Sequence, residues 1–141
     1  MVKIQAKWYL YLVWIQSILA MMGSLYFSEI AKYPPCTLCW YQRVFMYPLA
    51  FLIPIAIINK DKQVWVYIIP LAVIGWLIAF YHNLLYYDIL QESQATCQAG
   101  ISCTTKYIEF FGFVTIPLLS LIAFTIVIGA MWLYKITISK S

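Results

Sequence analysis

Residues 63–87 read Q-V-W-V-Y-I-I-P-L-A-V-I-G-W-L-I-A-F-Y-H-N-L-L-Y-Y, 25 positions without an aspartate, glutamate, lysine or arginine. As a helix the stretch rises roughly 37 Å, enough to cross roughly 30 Å of bilayer hydrocarbon. Toward the C-terminus, residues 110–134 form another uncharged run of 25. Toward the N-terminus, residues 44–59 form an uncharged run of 16, which residues 40–43 lengthen by about a turn. Residues 8–28 form the remaining run, of 21. These runs predict an all-α chain: a single domain over residues 1–141, built as a four-helix transmembrane bundle. Its spans are expected at about 8–28, 41–59, 64–87 and 110–134. No internal repeat or low-complexity segment interrupts them.

Composition agrees. The 141 residues are 65% hydrophobic and 10% charged, against about 45–50% and about 25% in soluble domains. A short soluble chain has too little interior to bury that much apolar surface. An ordinary cytosolic domain, a disordered tail and a nucleic-acid binder are therefore excluded. The net charge of +4 is no sign of a nucleic-acid partner; what matters is its placement relative to the membrane.

Lys3 and Lys7 precede the first run, as in a secretory signal peptide. The run is longer than the 7–15 residues of such a signal, and no A-x-A-like cleavage site follows. A retained signal anchor is expected. Cytoplasmic flanks of membrane helices are enriched in Lys and Arg. Four spans put Lys3, Lys7, Lys60, Lys62, Lys135 and Lys140 on one side, and Lys32, Arg43 and Lys106 on the other. Both termini should thus be cytoplasmic. Trp8/Tyr9, Trp65/Tyr67 and Trp132/Tyr134 then mark the inner ends, and Trp40/Tyr41, Tyr86/Tyr87 and Tyr107 the outer ends, as aromatic belts do. Pro48, Pro54, Pro70 and Pro117 fall inside expected spans, where each removes a backbone hydrogen bond and shapes the bundle.

In this orientation all four cysteines lie outside the membrane, in segments 29–40 and 88–109, where disulfides persist. Cys36 and Cys39 form C-T-L-C just after Pro34-Pro35. Proline suits the first turn of a helix, so Cys36 is expected at a helix N-terminus, where dipole and free N–H groups favour a thiolate. Cys39 is one turn further in. Cys97 and Cys103 flank Q-A-G-I-S, a small polar loop open to a partner protein. Proximity favours two local bridges, Cys36–Cys39 and Cys97–Cys103. Two purely structural disulfides in a non-catalytic membrane scaffold are the alternative, although closing so short a loop as C-x-x-C constrains little chain entropy. A four-cysteine zinc site has a poor second half in C-x5-C, and Trp40 rather than histidine follows Cys39, against c-type haem. No metal centre is expected.

Arg43, the only arginine, follows Cys39 by four residues and shares its helix face. A cation at that depth is costly and points to function, here to stabilising a thiolate or an anionic ligand; the plain alternative is an interfacial anchor. His82, the only histidine, lies roughly 9 Å below Asp88 on an outward-running helix, at the depth of Cys39 and Arg43. It could hydrogen-bond a ligand oxygen or relay a proton, or be a buried histidine satisfied by a neighbouring helix. Gln16, Gln42 and Asn83 are weaker candidates. A dithiol beside a cationic groove in a membrane, without a flavin or nicotinamide fingerprint, points to a lipid-soluble two-electron acceptor such as a quinone.

C-T-L-C-W-Y-Q-R (36–43), F-Y-H-N-L-L (80–85), the loop cysteines and E-F-F-G-F-V-T-I-P (109–117) together resemble the DsbB family of disulfide bond formation proteins, over nearly the whole chain. The short second loop is most similar to the branch often called BdbC. In the related vitamin K epoxide reductases the loop pair precedes the C-x-x-C, so the order here argues for the DsbB type. The resemblance implies a thiol–quinone oxidoreductase of the bacterial cell membrane that passes electrons to menaquinone or ubiquinone. Its partner would be an extracytoplasmic thioredoxin-fold thiol oxidase, DsbA- or BdbD-like. By that analogy the partner attacks the loop disulfide at Cys97, Cys103 attacks Cys36, and Cys39 becomes the thiolate facing the quinone. Arg43 and His82 match the family's quinone-site residues. The departure is the second loop: longer relatives carry a lateral helix there, whereas these cysteines stand six positions apart.

Overall fold

The computed structural model describes residues 2–91 and 115–140, with side chains from residue 4 onward. Four helices account for nearly all of it: α1 (Val2–Leu25), α2 (Thr37–Ile58), α3 (Trp65–Tyr86) and α4 (Ile116–Ser139). All four are long and apolar enough to cross a membrane. Each packs on its sequence neighbour where both are described, and α1 closes the ring against α4, while α2 and α4 scarcely touch across the diagonal. The expected all-α bundle is what forms.

Its interior is small and close-packed. Leu49, Ile53, Ile68, Phe124, Val127 and Met131 are fully buried at its centre. Larger apolar side chains such as Trp8, Leu19, Phe51, Ile58 and Leu77 point outward instead, as they must when lipid rather than water surrounds the helices. α3 and α4 meet at Gly75, where the Phe124 ring occupies the space that a Cβ would need. Small residues at such crossings let membrane helices approach.

The ends of the elements depart from the expected spans in several places; α2 starts at Thr37 rather than 41, and α4 runs to Ser139 rather than 134. α1 starts at Val2, so Lys3 and Lys7 lie within its first turns rather than ahead of it. Its far end does not stop at 28 but widens into a π-helical turn, Tyr26–Ile30, leaving only 31–36 as the link to α2. α4 begins at Ile116 instead of 110, which puts Pro117 in its first turn, still inside the candidate span Ile116–Ser139. The reason is local: Thr115 is extended (φ −112°, ψ 159°) and its hydroxyl accepts from the Leu118 N–H at 3.3 Å, a side-chain cap. Proline fits that first turn because no N–H is needed there. Residues 110–114, and the expected second outer segment from 92 on, lie outside the described residues. Pro48, Pro54 and Pro70 do fall inside α2 and α3.

The two ends of the bundle differ in chemistry. At one end, Asp61 organises the α2–α3 turn by accepting from the Gln63 N–H (2.8 Å) and the Tyr67 hydroxyl (2.9 Å). Its carbonyl accepts from the Tyr134 hydroxyl at 3.2 Å, which ties α4 to that turn. Lys135 lies over the Trp65 and Trp132 rings, at 4.4 and 5.3 Å. The opposite end holds Cys36, Cys39, Arg43 and His82.

Candidate redox site

The site is built where α2 begins. Cys36 is the N-cap of α2, in an extended conformation (φ −71°, ψ 170°), and Pro34-Pro35 precede it as the sequence reading required. Cys39 follows one helical turn later, which brings the two sulfurs together on one side. Their Sγ atoms stand 3.3 Å apart as free thiols, the reduced form of the expected Cys36–Cys39 bridge. Cys36 is buried and Cys39 is half-buried.

His82 completes the cluster from α3. Only 2% exposed, its Nε2 lies 3.7 Å from Cys36 Sγ. Its Nδ1 lies 3.2 Å from Gln42 Nε2, and Gln42 Oε1 accepts from the Ser120 hydroxyl at 2.9 Å. With Ser120 donating to the amide oxygen, the amide nitrogen donates to Nδ1, and Nε2 carries the hydrogen that faces Cys36. One chain of contacts thus runs from α4 through α2 to α3 and back to the redox pair.

Cys36 stands just ahead of the membrane-spanning stretch of α2. The Cys39 thiol hydrogen-bonded to it holds it well below the ordinary thiol range, against the opposing effect of burial, and the His82 imidazole adds to the lowering. The expectation of a helix-terminal cysteine favouring its thiolate therefore holds, but for a different main reason. The first-turn N–H of Cys39 is the smallest of the causes; the neighbouring thiol and imidazole dominate.

Arg43 also differs from a solvent-seeking anchor. Its guanidinium turns inward, Nη2 donating to the Ser24 carbonyl of α1 at 3.0 Å, 5.4 Å from the Trp40 ring centroid. Its Nε is buried and finds no partner among the described residues, and neither does the Tyr47 hydroxyl. Both line a cavity of about 320 Å³ together with Cys36, Cys39, His82 and Ser120. Its walls come from α1, the π-turn through Phe27, and the facing sides of α2, α3 and α4. That volume lies at the lower end of the range for small-molecule sites, and the mixture of apolar wall with a few unsatisfied donors suits a flat ligand bearing oxygen acceptors.

Four of the six site residues named from sequence are therefore brought together: Cys36, Cys39, Arg43 and His82. Cys97 and Cys103, with their expected bridge, lie outside the described residues. Gln16 lines the cavity. Asn83 belongs to the scaffold, its amide donating to the carbonyls of Ala79 (2.8 Å) and Pro117 (2.9 Å). The sequence reading missed Tyr47 and Ser120. A usable signal existed for Tyr47, which continues the 39, 43, 47 spacing along one face of α2.

Comparison with known proteins follows the same lines. The family model described as "Disulfide bond formation protein DsbB" matches residues 6–134. The chain is 46% identical over 127 residues to "Disulfide bond formation protein C" of Bacillus subtilis (strain 168), covering 90% of this chain and 92% of that one. It is 48% identical over 116 residues to "Probable disulfide formation protein C 1" of Bacillus cereus (strain ATCC 10987 / NRS 248), covering 82% and 83%. A third relative, "Probable disulfide formation protein C" of Halalkalibacterium halodurans, is 44% identical over 115 residues, covering 81% and 83%. No solved structure matches.

Proposed function

This chain belongs to the DsbB family of disulfide bond formation proteins, and from that premise we propose that it is a protein-dithiol:quinone oxidoreductase. It reoxidises an extracytoplasmic thioredoxin-fold thiol oxidase of the DsbA or BdbD kind and passes the electrons to menaquinone or ubiquinone in the bilayer. The observation that carries the reading is the cavity, which sets the C-x-x-C sulfurs, the only histidine and the inward-turned only arginine around one space of about 320 Å³. Buried donors without partners among the described residues, Arg43 Nε and Tyr47 Oη, are what two quinone oxygens would satisfy.

The chemistry is a relay of thiol–disulfide exchanges. The partner's thiolate attacks the Cys97–Cys103 disulfide at Cys97 and releases Cys103. The partner's second thiol then resolves that mixed disulfide, leaving oxidised partner and reduced loop pair. Cys103 attacks the Cys36–Cys39 disulfide at Cys36, Cys97 closes the loop disulfide again, and Cys36 and Cys39 are left as the dithiol. A quinone in the cavity supplies the two-electron, two-proton acceptor. Cys39, which lines the cavity one turn further into the bundle, gives up its electrons toward the cavity as the Cys36–Cys39 bond re-forms. Arg43 offsets negative charge on the ligand side, and His82 holds a proton at Nε2 beside Cys36. Over one cycle the partner's two thiols lose two electrons and two protons, and both cysteine pairs return to disulfides.

Both cysteine segments face the extracytoplasmic side in this reading, because the partner works there and the lysine distribution puts the Asp61 end in the cytoplasm. Arg43→Ala tests the assignment of the cavity. Quinone KM should rise about 10-fold or more, as expected for losing a charged hydrogen bond of about 1.5–3 kcal/mol, with the thermal midpoint in detergent little changed. An unchanged quinone KM would remove Arg43 from the site.

A further inference from the structure

Cys36 Sγ, Cys39 Sγ and a ring nitrogen of His82 all lie within 4.8 Å of one another. This is more than a redox pair with a histidine nearby. A tetrahedral zinc ion binds thiolates at about 2.3 Å and imidazole nitrogen at about 2.0–2.1 Å. Those bond lengths put two thiolate sulfurs about 3.8 Å apart, and sulfur and nitrogen about 3.5 Å apart. The observed separations are 3.3 Å between the sulfurs and 3.7 Å from Cys36 Sγ to His82 Nε2. Both edges that meet at Cys36 therefore lie within about half an ångström of a zinc tetrahedron's, and the third, between Cys39 and His82, is under 4.8 Å.

We propose that the reduced form of this chain carries a Cys36–Cys39–His82 site for Zn2+, and that occupation locks the dithiol in its reduced state. The fourth corner faces the cavity and is left for water. Binding displaces the thiol protons to solvent and changes no oxidation state. Two thiolates and one divalent cation sum to zero charge, so the ion enters the bundle without leaving a buried net charge. The outer shell is present too. A ligating histidine holds its other ring nitrogen to a hydrogen-bond partner, and Gln42 stands 3.2 Å from Nδ1. With Nε2 on the metal, Nδ1 carries the hydrogen, and the Gln42 amide turned over presents its oxygen to it. The Ser120 hydroxyl, 2.9 Å from that amide, accepts from the amide nitrogen in that orientation.

The site exists only while the pair is reduced, because a disulfide offers no thiolate. Its consequence is a brake: zinc and the electron acceptor compete for the same two sulfurs. The proposal stands on the geometry of the dithiol and not on the identity of the acceptor, so the test is run without quinone.

The test uses the full chain carrying Cys97→Ser and Cys103→Ser, purified in detergent and reduced, with Zn2+ as ligand in competition with a chromogenic chelator. One ion should bind per chain. Binding should vanish in the oxidised protein and in Cys39→Ser, and weaken about 10-fold or more in His82→Gln, at least as much as losing an outer-shell partner. X-ray absorption at the zinc edge of the unsubstituted site should show two sulfur ligands and at least one imidazole nitrogen, a readout that does not depend on how the variants fold. Absent binding, equal binding by the oxidised chain, or a zinc shell lacking either the two sulfurs or the imidazole would overturn the proposal.

Discussion

Cys36 Sγ stands 3.3 Å from Cys39 Sγ and 3.7 Å from His82 Nε2, and both neighbours lower its pKa. Because the Cys39 hydrogen bond is the main cause of the lowering and His82 a lesser one, the two can be separated. In a Cys97→Ser, Cys103→Ser background, the pH midpoint for alkylation of Cys36 by a small reagent should lie well below that of an ordinary thiol. Only the deprotonated sulfur reacts, so the rate should stay flat from neutral pH downward and fall only once acid reprotonates Cys36. Cys39→Ala should move the midpoint upward more than His82→Ala does; a midpoint that neither variant moves would contradict this account. The same residues show how much of the site was legible beforehand. Cys36, Cys39, Arg43 and His82 stand out because they are scarce: one arginine, one histidine and four cysteines in the chain. Tyr47 and Ser120 did not, because the chain has 12 tyrosines and hydroxyl side chains are ordinary on membrane helices. Only the rotation of α4 against α2 places Ser120 on the Gln42 amide, and no periodicity in a uniformly apolar helix encodes that rotation.

The helices themselves were readable from uncharged length, and their ends less so. α3 matches its run almost residue for residue, since Asp61 and the lysines beside it punctuate its start. α4 could not be placed from apolar length alone, because residues 110–114 are as apolar as the helix that follows them. Its start is set by the Thr115 cap and by Pro117, a local signal that hydropathy overrides. The packing of α3 on α4 turns on Gly75, a residue that composition treats as neutral. Gly75→Ala should destabilise the bundle by about 1–3 kcal/mol through overpacking, because the added methyl meets the Phe124 ring. Phe124→Leu in the same chain should recover part of the loss. The thermal midpoint of the detergent-solubilised protein checks both, and a Gly75→Ala variant as stable as the parent would show that the two helices part easily there.

For the molecule as a whole, the division into an Asp61–Lys135 end and a cysteine end gives the bundle a direction. In the proposed orientation the first end is cytoplasmic, so a green fluorescent protein fused after Ser141 should fluoresce, and a periplasmic-type phosphatase fused there should be inactive in cells. The reverse result would place the cysteines on the wrong side for a secreted partner. Direction matters because the proposed relay would join two phases: protein thiols outside and an electron acceptor reached from within the bilayer. The most direct test of that joining is quinol formation by the purified full-length chain, supplied with a reduced thioredoxin-fold dithiol and a short-chain quinone and followed by quinone absorbance. One quinol should form per partner disulfide generated, and Cys39→Ser should abolish the reaction. Partner oxidation without quinol, or quinol formation that persists in Cys39→Ser, would contradict it.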